Sequence, residues 1–143
     1  MTPDTDDRAP RPPGGPATAP YHGLGPAANG NARTYAYGRF TVVEAAGEID
    51  LESAGRLAEH LDAATAGPGP DVLVDLRPVA FLDCSGLRVL CRAETRAGAQ
   101  GGRLRLVCED PRVLRLLRAS GLLKRFPPLP GIPGPGGGAR ERR

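Results

Sequence analysis

The apolar residues of this chain recur at two spacings, which predict strands and helices in alternation. Short apolar runs predict strands at residues 33–37, 40–46, 71–76 and 103–108. Gly38 and Arg39 between the first two runs predict a hairpin turn. The run at 71–76 has apolar residues on both of its faces, which is typical of a strand buried on both sides.

Three stretches with apolar residues three and four positions apart predict amphipathic helices. The first covers residues 53–66 and is stopped by a Gly/Pro run. The second follows the small polar residues 83–86. The third has Asp110 as N-cap and Pro111 at its first position, and it ends at Gly121. The polar side of the first helix is predicted to carry Arg56, Glu59, His60 and Asp62.

The order of these elements indicates an α/β domain. A helix between two strands implies a crossover connection and a parallel pair, so we expect a four-stranded mixed sheet with helices packed on it. This single small domain is expected to cover residues 34–126. The flanking residues 1–33 and 127–143 are rich in Pro and Gly and lack periodicity, which predicts disordered tails.

The most distinctive stretch is an apolar approach at residues 79–82 that ends abruptly in Asp83, Cys84, Ser85 and Gly86. Asp83 is a suitable N-cap, because its carboxylate can accept a hydrogen bond from a first-turn N–H group. Cys84 and Ser85 then lie at the positive end of the helix dipole, where a phosphoryl group or a thiolate would be stabilised. The alternative is that Asp83 and Ser85 only cap a helix.

Charge is unevenly distributed, although the formal net charge is only +3. Residues 35–75 carry eight acidic side chains and two arginines, whereas residues 76–126 carry eleven basic and four acidic side chains. An acidic and a basic side would suit a charged protein partner, and two solvated faces are the alternative. Arg88, Arg92 and Arg96 form a stripe on the second helix that could steer an acidic partner or remain solvated.

Composition argues against several classes of function. Three Phe, three Tyr and no Trp give too few aromatic platforms for a single-strand nucleic-acid binder. Cys84, Cys91 and Cys108 are too few and too widely spaced for a disulfide framework or a metal site, which indicates a reduced, cytoplasmic chain without a cofactor. No run approaches the ~20 apolar residues of a membrane helix, and the acidic residues 1–7 do not form a signal peptide.

Four short motifs follow one another along the predicted domain. They are Gly-Glu-Ile-Asp at 47–50, Val-Leu-Val-Asp-Leu at 72–76, Phe-Leu-Asp-Cys-Ser-Gly-Leu at 81–87 and Ala-Ser-Gly-Leu at 119–122. In order and spacing they resemble the STAS domain, in particular that of bacterial anti-sigma factor antagonists. The resemblance implies a regulator that binds an anti-sigma factor, itself a serine kinase with an ATP-binding fold, and thereby frees a sigma factor for transcription.

In this family, as the resemblance implies, phosphorylation by the kinase breaks the complex and a serine phosphatase resets it. We expect no direct binding to nucleic acid or membranes, and a monomer or weak dimer. The family's C-terminal helix is replaced here by the Pro/Gly-rich residues 127–143.

The resemblance also implies a partner-binding surface, formed by Asp50, Asp83, Cys84, Ser85, Gly86 and Arg88. Asp50 is expected to lie beside the central loop, and it can also cap the helix that follows. The family's phosphoacceptor is the hydroxyl residue directly after the motif aspartate, but Cys84 stands there. Because a serine kinase does not recognise a thiol, Ser85 is the candidate phosphorylation site, and binding without a phosphoswitch is the alternative.

Two further functions are compatible with the same residues. Cys84 could be a redox sensor, because thiols at helix N-termini gain reactivity, or it could simply fill a small site. Cys84 or Ser85 could also be a nucleophile, which would need a general base. The only histidines are His22, in the expected N-terminal tail, and His60, on the polar side of the first helix. We therefore expect a binding protein rather than an enzyme.

Overall fold

The computed structural model describes residues 26–134. Its elements in chain order are β1 (Ala32–Tyr37), β2 (Phe40–Ala45), β3 (Gly47–Ile49), α1 (Ala54–Ala64), β4 (Asp71–Asp75), β5 (Val79–Leu82), α2 (Cys84–Ala99), β6 (Arg103–Val107) and α3 (Pro111–Ala119). The four strands and three helices expected from apolar spacing are all present. The α/β fold class is therefore confirmed.

The main sheet has four strands in the order β1-β2-β4-β6. β1 and β2 are antiparallel, and Gly38 in the turn between them has a positive φ of 60°. β2, β4 and β6 are mutually parallel, as connections through helices require. β4 is a central strand, and the complete burial of Val72, Leu73 and Val74 confirms the expectation that both of its faces are covered.

Two short strands that the sequence did not predict form a second sheet. Residues 47–50 were expected to terminate the preceding strand, and residues 79–82 to be only an apolar approach to the loop. The two strands pair in parallel, with Ile49 opposite Leu82. Strands of three and four residues are too short for a period of two to stand out, which explains why the apolar pattern missed them.

All three helices pack on one face of the main sheet, which we call the inner face. Their buried apolar side chains join the inward side chains of the strands in one hydrophobic cluster. Phe126, which follows α3, is completely buried in the same cluster. The opposite face, which we call the outer face, carries a smaller cluster of Phe40, Val42, Leu73 and Val107.

The domain begins earlier than the expected limit at residue 34. Asn31 is buried, and its amide Nδ2 donates to the carbonyl oxygens of Ala46 at 3.0 Å and Glu48 at 3.2 Å. The carboxamide oxygen of Asn29 in turn accepts from the backbone N–H groups of Asn31 and Ala32, both at 2.8 Å. Composition alone predicted a disordered segment here. The hydrogen-bond partners of these asparagines come close only in the folded state, so the sequence does not reveal them.

The domain also ends later than the expected limit at residue 126. Leu129 pairs with the edge of β6, where its N–H donates to the Leu106 carbonyl at 2.9 Å. Residues 127–134 therefore belong to the packed structure, although they lack a helix or a long strand. The remaining parts of the two expected tails, residues 1–25 and 135–143, lie outside the described residues.

Candidate functional site

The loop that joins β5 to α2, residues 83–86, forms an elbow between sheet and helix. Asp83 has an extended backbone, and its Oδ1 accepts hydrogen bonds from the N–H groups of Ser85 at 2.8 Å and Gly86 at 3.4 Å. The predicted N-cap is therefore confirmed. The side chain satisfies first-turn donors that have no partner within the helix, so the helix begins sharply at Cys84.

Gly86 does not lie at the surface, where the partner-binding hypothesis located it. It is buried, and a Cβ atom on it would clash with Leu82 Cδ1 and come within 3.0 Å of Ile49 Cγ2. The absence of a side chain lets the first turn of α2 lie directly on β3 and β5. Gly86 therefore permits the close packing beneath the elbow. It has no side chain with which a partner could make contact.

The other side chains of the elbow differ in exposure. Cys84 is an exposed free thiol, and Arg88 one turn later is also exposed. Ser85 is half-buried. Position 84, where the family has the phosphoacceptor hydroxyl, is thus accessible to solvent. In this chain it is a cysteine.

The β3–β5 pairing brings the loop after β3 beside the elbow. The backbone N–H of Asp83 donates to the Ile49 carbonyl at 3.2 Å, and Asp50 is the next residue along the chain. Asp50 Oδ1 accepts from the Glu52 N–H, the Ser53 N–H and the Ser53 hydroxyl, each at 3.0 Å. Asp50 therefore orders the turn that leads into α1, but it is not the helix cap that was expected, because the N-cap of α1 is Ser53.

These hydrogen bonds also fix the charge of Asp50. The Ser53 backbone N–H, followed by the Ser53 hydroxyl, holds the pKa of the Asp50 carboxyl below its ordinary value. Hydrogen bonds to the charged form of a carboxyl stabilise that form. Asp50 is thus negatively charged at neutral pH, in a hydrogen-bonded turn beside the elbow.

Two large apolar side chains are exposed on the two chain segments that adjoin the elbow. Leu51 is 80% exposed and Phe81 is 51% exposed, the only large apolar side chains of the described residues with such exposure. Leu51 follows Asp50, and Phe81 lies opposite Glu48 in the β3–β5 pair. The sequence analysis missed both, because an apolar residue beside a polar loop has the same signature as a core residue. We call this surface the elbow edge, formed by Asp50, Leu51, Phe81, Cys84, Ser85 and Arg88.

The arginine stripe of α2 divides into two parts. Arg92 and Arg96 approach Asp62 of α1 at 3.8 and 3.9 Å, so they bridge the two helices within the domain. Arg88 has no acidic partner within 4.0 Å among residues 26–134, and it lies at the elbow edge. Only this arginine of the stripe is therefore suited to meet an acidic partner.

His60 is not on a polar surface, contrary to the prediction. It is completely buried, with Nδ1 2.6 Å from the Thr34 hydroxyl and Nε2 3.1 Å from the Ala27 carbonyl. The first strand and the residues before it cover this side of α1, which the helical pattern could not reveal. With both ring nitrogens bonded, His60 cannot activate Cys84 or Ser85. His22 lies outside the described residues.

Residues 26–134 contain no group of three or more His, Cys, Asp and Glu side chains that could hold a metal ion. In the same part of the chain, no helix has the length and apolar character needed to cross a membrane.

Comparison with known proteins identifies the family. The model of the STAS domain matches residues 31–132. This chain belongs to the STAS domain family. The match covers every helix and strand of the structure and extends beyond the expected limits of 34 and 126, and it confirms the resemblance that the four motifs suggested.

Individual relatives connect the chain to anti-sigma factor antagonists. It is 32% identical over 115 residues, 78% of this chain and 77% of the relative, to a Mycobacterium tuberculosis protein named as a candidate anti-anti-sigma factor. It is 38% identical over 80 residues, 56% of this chain and 72% of the relative, to the anti-sigma-B factor antagonist of Bacillus subtilis. The crystal structure of an anti-sigma factor antagonist from Mycobacterium paratuberculosis superposes with a TM-score of 0.65 at 30% identity, covering 71% and 86% of the two chains.

Proposed function

We propose that this STAS protein is a cytoplasmic anti-sigma factor antagonist, which binds an anti-sigma factor of the serine-kinase type and so releases a sigma factor for transcription. The observation that carries the proposal is the elbow edge. There the two most exposed large apolar side chains of the described residues, Leu51 and Phe81, belong to the chain segments next to Asp50 and to the capped start of α2. The relation to named anti-sigma factor antagonists supports the choice of partner.

The elbow edge has the composition of a protein interface. Apolar anchors surrounded by polar and charged groups supply most of the binding energy in such interfaces, while the rim sets orientation. Leu51 and Phe81 act as the anchors, and Asp50 and Arg88 as rim charges of opposite sign. Since hydrogen bonds from the Asp83 cap and the Asp50 turn order the backbone of this surface, binding needs less backbone ordering.

The binding test uses the full chain as bait for a kinase-type anti-sigma factor from the same genome, followed by titration calorimetry with that protein. Leu51→Asp and Phe81→Asp each weaken binding by at least about tenfold, as expected for a charge placed on an interface anchor. Arg39→Asp, an exposed position in the β1–β2 turn, serves as the matched control and leaves affinity unchanged. Failure of every such kinase to bind contradicts the proposed function, and unchanged affinity in both anchor variants contradicts the elbow edge as the interface.

Phosphorylation is limited in this chain by the thiol at position 84. A kinase that reaches the exposed position finds sulfur, while the hydroxyl of Ser85 is half-buried. With the bound kinase and ATP, Cys84→Ser incorporates phosphate at least about tenfold faster than the natural chain, and Ser85→Ala removes the slow residual phosphate. The added charge of about −1.5 to −2 then lowers the affinity for the kinase through repulsion and desolvation. Equal phosphorylation of the natural chain and Cys84→Ser contradicts this account.

The exposure of Cys84 supports a redox-responsive regulator as the second candidate. This function requires labelling by iodoacetamide at neutral pH to be faster than for a free thiol, and oxidation of Cys84 to alter partner affinity. Labelling at the rate of a free thiol excludes it.

A further inference from the structure

The outer face of the main sheet is covered by the C-terminal residues of the chain and not by a helix. The buried apolar side chains of the three helices all belong to the cluster on the inner face. Nevertheless, Val42, Leu73 and Val107 on the outer face are completely buried. The partly buried apolar side chains that pack against this outer cluster are those of Tyr35, Tyr37, Leu129 and Ile132, and the Arg105 guanidinium lies 5.7 Å from the centre of the Phe40 ring.

The first attachment of this C-terminal segment is a backbone contact at the sheet edge. Leu129 donates to the Leu106 carbonyl and accepts from the Cys108 N–H, both at 2.9 Å, on the open side of edge strand β6. Extended peptides bind sheet edges in this way. Because Pro128 and Pro130 have no N–H group, the pairing is confined to one residue.

The second attachment is the side chain of Ile132. It borders a cleft of about 300 Å³ that is also lined by Tyr35 and Tyr37 of β1. The volume lies at the lower end of the range for ligand sites. The segment therefore runs from the β6 edge onto the outer face, and its two anchors are three residues apart.

The charged side chains of this cleft are paired with one another. Arg33 Nε lies 2.7 Å from Glu44, and its guanidinium stacks 5.0 Å from the centre of the Tyr35 ring. Arg77 makes two bonds of 2.9 Å to Asp75, which is 2% exposed. Since these charges are neutralised locally, the cleft offers aromatic faces to an uncharged ligand.

The composition of the C-terminal segment suits an uncharged, aromatic-lined cleft. Residues 127–134 contain four prolines, two glycines, Leu129 and Ile132, and no charged side chain. Proline-rich segments are extended before binding, so they lose little entropy, and they are recognised by aromatic-lined grooves.

We propose that the outer face is a binding site for an uncharged, proline-rich peptide with two aliphatic anchors three residues apart, and that residues 127–134 occupy it as a displaceable ligand in cis. The occupant is held by two backbone hydrogen bonds and two half-buried side chains, so a peptide of the same pattern can take its place. None of these residues belongs to the elbow edge. The site is therefore independent of the proposed antagonist function.

The test uses the full chain with Leu129→Asp and Ile132→Asp combined, which removes both anchors and leaves the sheet unchanged. The probe is a fluorescently labelled synthetic peptide with the sequence of residues 127–134, followed by anisotropy. We expect at least about tenfold tighter apparent binding to the double variant than to the natural chain, because a tethered segment competes at an effective concentration of roughly millimolar. Gln100→Asp, at an exposed position after α2 and outside the segment, is the matched control and behaves like the natural chain.

Hydrogen exchange at the Cys108 amide provides a second readout, since that N–H donates to Leu129. Exchange is faster in the double variant and is slowed again by the peptide, but not by a peptide with aspartate at both anchor positions. Equal binding of the two peptides, or binding to the variant no tighter than to the natural chain, overturns the proposal when circular dichroism shows an intact fold. If the double variant does not fold, Ile132→Ala is subjected to the same two measurements, with the same results required.

Discussion

At the scale of single residues, neighbouring positions of the elbow have different structural roles. Asp83 caps α2, Cys84 faces solvent, and Gly86 is packed against β3 and β5. The sequence correctly indicated the cap, because capping depends only on residues within one turn. The spacing of Gly86 with Leu90 and Ala93 also predicted that it lies on the packing face of α2, but only the tertiary structure decided that Ile49 of β3 lies against it.

Replacing Gly86 by alanine should destabilise the domain by about 1–2 kcal/mol, because the added methyl group collides with Leu82 and crowds Ile49. The matched control is Gly98→Ala near the end of the same helix, where nothing lies within 4 Å of the new methyl group. That substitution should stabilise the domain by roughly 0.5–1 kcal/mol through helix propensity. Urea unfolding of both variants measures the difference, and equal effects would contradict the packing role of Gly86.

Burial of His60 makes stability depend on pH. Burial lowers the pKa of the His60 imidazole, while the Ala27 carbonyl and the charge of Glu59 act in the opposite direction. The folded state therefore binds this proton less readily than the unfolded state, whose histidine pKa is about 6.5. The contribution is complete above that value and is lost as the pH falls towards the lowered folded pKa. His60→Gln should flatten the pH dependence of the unfolding free energy between about pH 7 and 5; an unchanged slope would contradict this assignment.

At the scale of elements, α2 and α3 both begin with an aspartate N-cap, but the two caps lie in different surroundings. Asp83 caps α2 by accepting from Ser85 and Gly86, and Asp110 caps α3 by accepting from Arg112 at 2.8 Å. Both were predicted from sequence, since aspartate before a helical pattern is a local signal. Their surroundings differ, because only the first cap is joined to the Asp50 turn through the β3–β5 pair.

Removing each cap in a separate variant should distinguish an effect on stability from an effect on partner binding. Asp83→Ala should cost about 1 kcal/mol of unfolding free energy through the lost cap, and Asp110→Ala should also be destabilising. Asp83→Ala should weaken binding of the anti-sigma factor more than Asp110→Ala does, since Asp83 lies in the elbow itself and Asp110 only borders the cleft beside Phe81. Thermal unfolding and calorimetric titration of both variants provide the comparison. Equal loss of affinity in the two would show that binding responds to general destabilisation.

At the scale of the whole molecule, the chain after α3 completes both faces of the sheet. Phe126 is buried with the helices on the inner face, and Leu129 and Ile132 cover the cluster on the outer face. A domain of this size buries few apolar side chains, so its stability depends strongly on each one that is fully buried. The domain limits expected from composition were too narrow because a Pro/Gly-rich segment can pack without forming a helix or sheet.

Phe126→Ala should lower the unfolding free energy by about 3–5 kcal/mol, the usual cost of emptying a large aromatic site in a core. Phe81→Ala is the matched control, because that ring is half-exposed, and it should change stability by less than about 0.5 kcal/mol. Urea unfolding monitored by circular dichroism measures both. A small loss for Phe126→Ala would show that the segment after α3 contributes little to the core.

The sequence by itself determined the local features of this protein. The four strands of the main sheet, the three helices, the Asp83 and Asp110 caps and the family motifs all depend on residues within a few positions of one another. Tertiary structure alone decided the pairing of β3 with β5, and hence the meeting of Asp50, Leu51 and Phe81 at the elbow. It also decided the burial of His60 and the course of residues 127–134 onto the outer face. These features join residues far apart in the chain, and periodicity carries no information about such contacts.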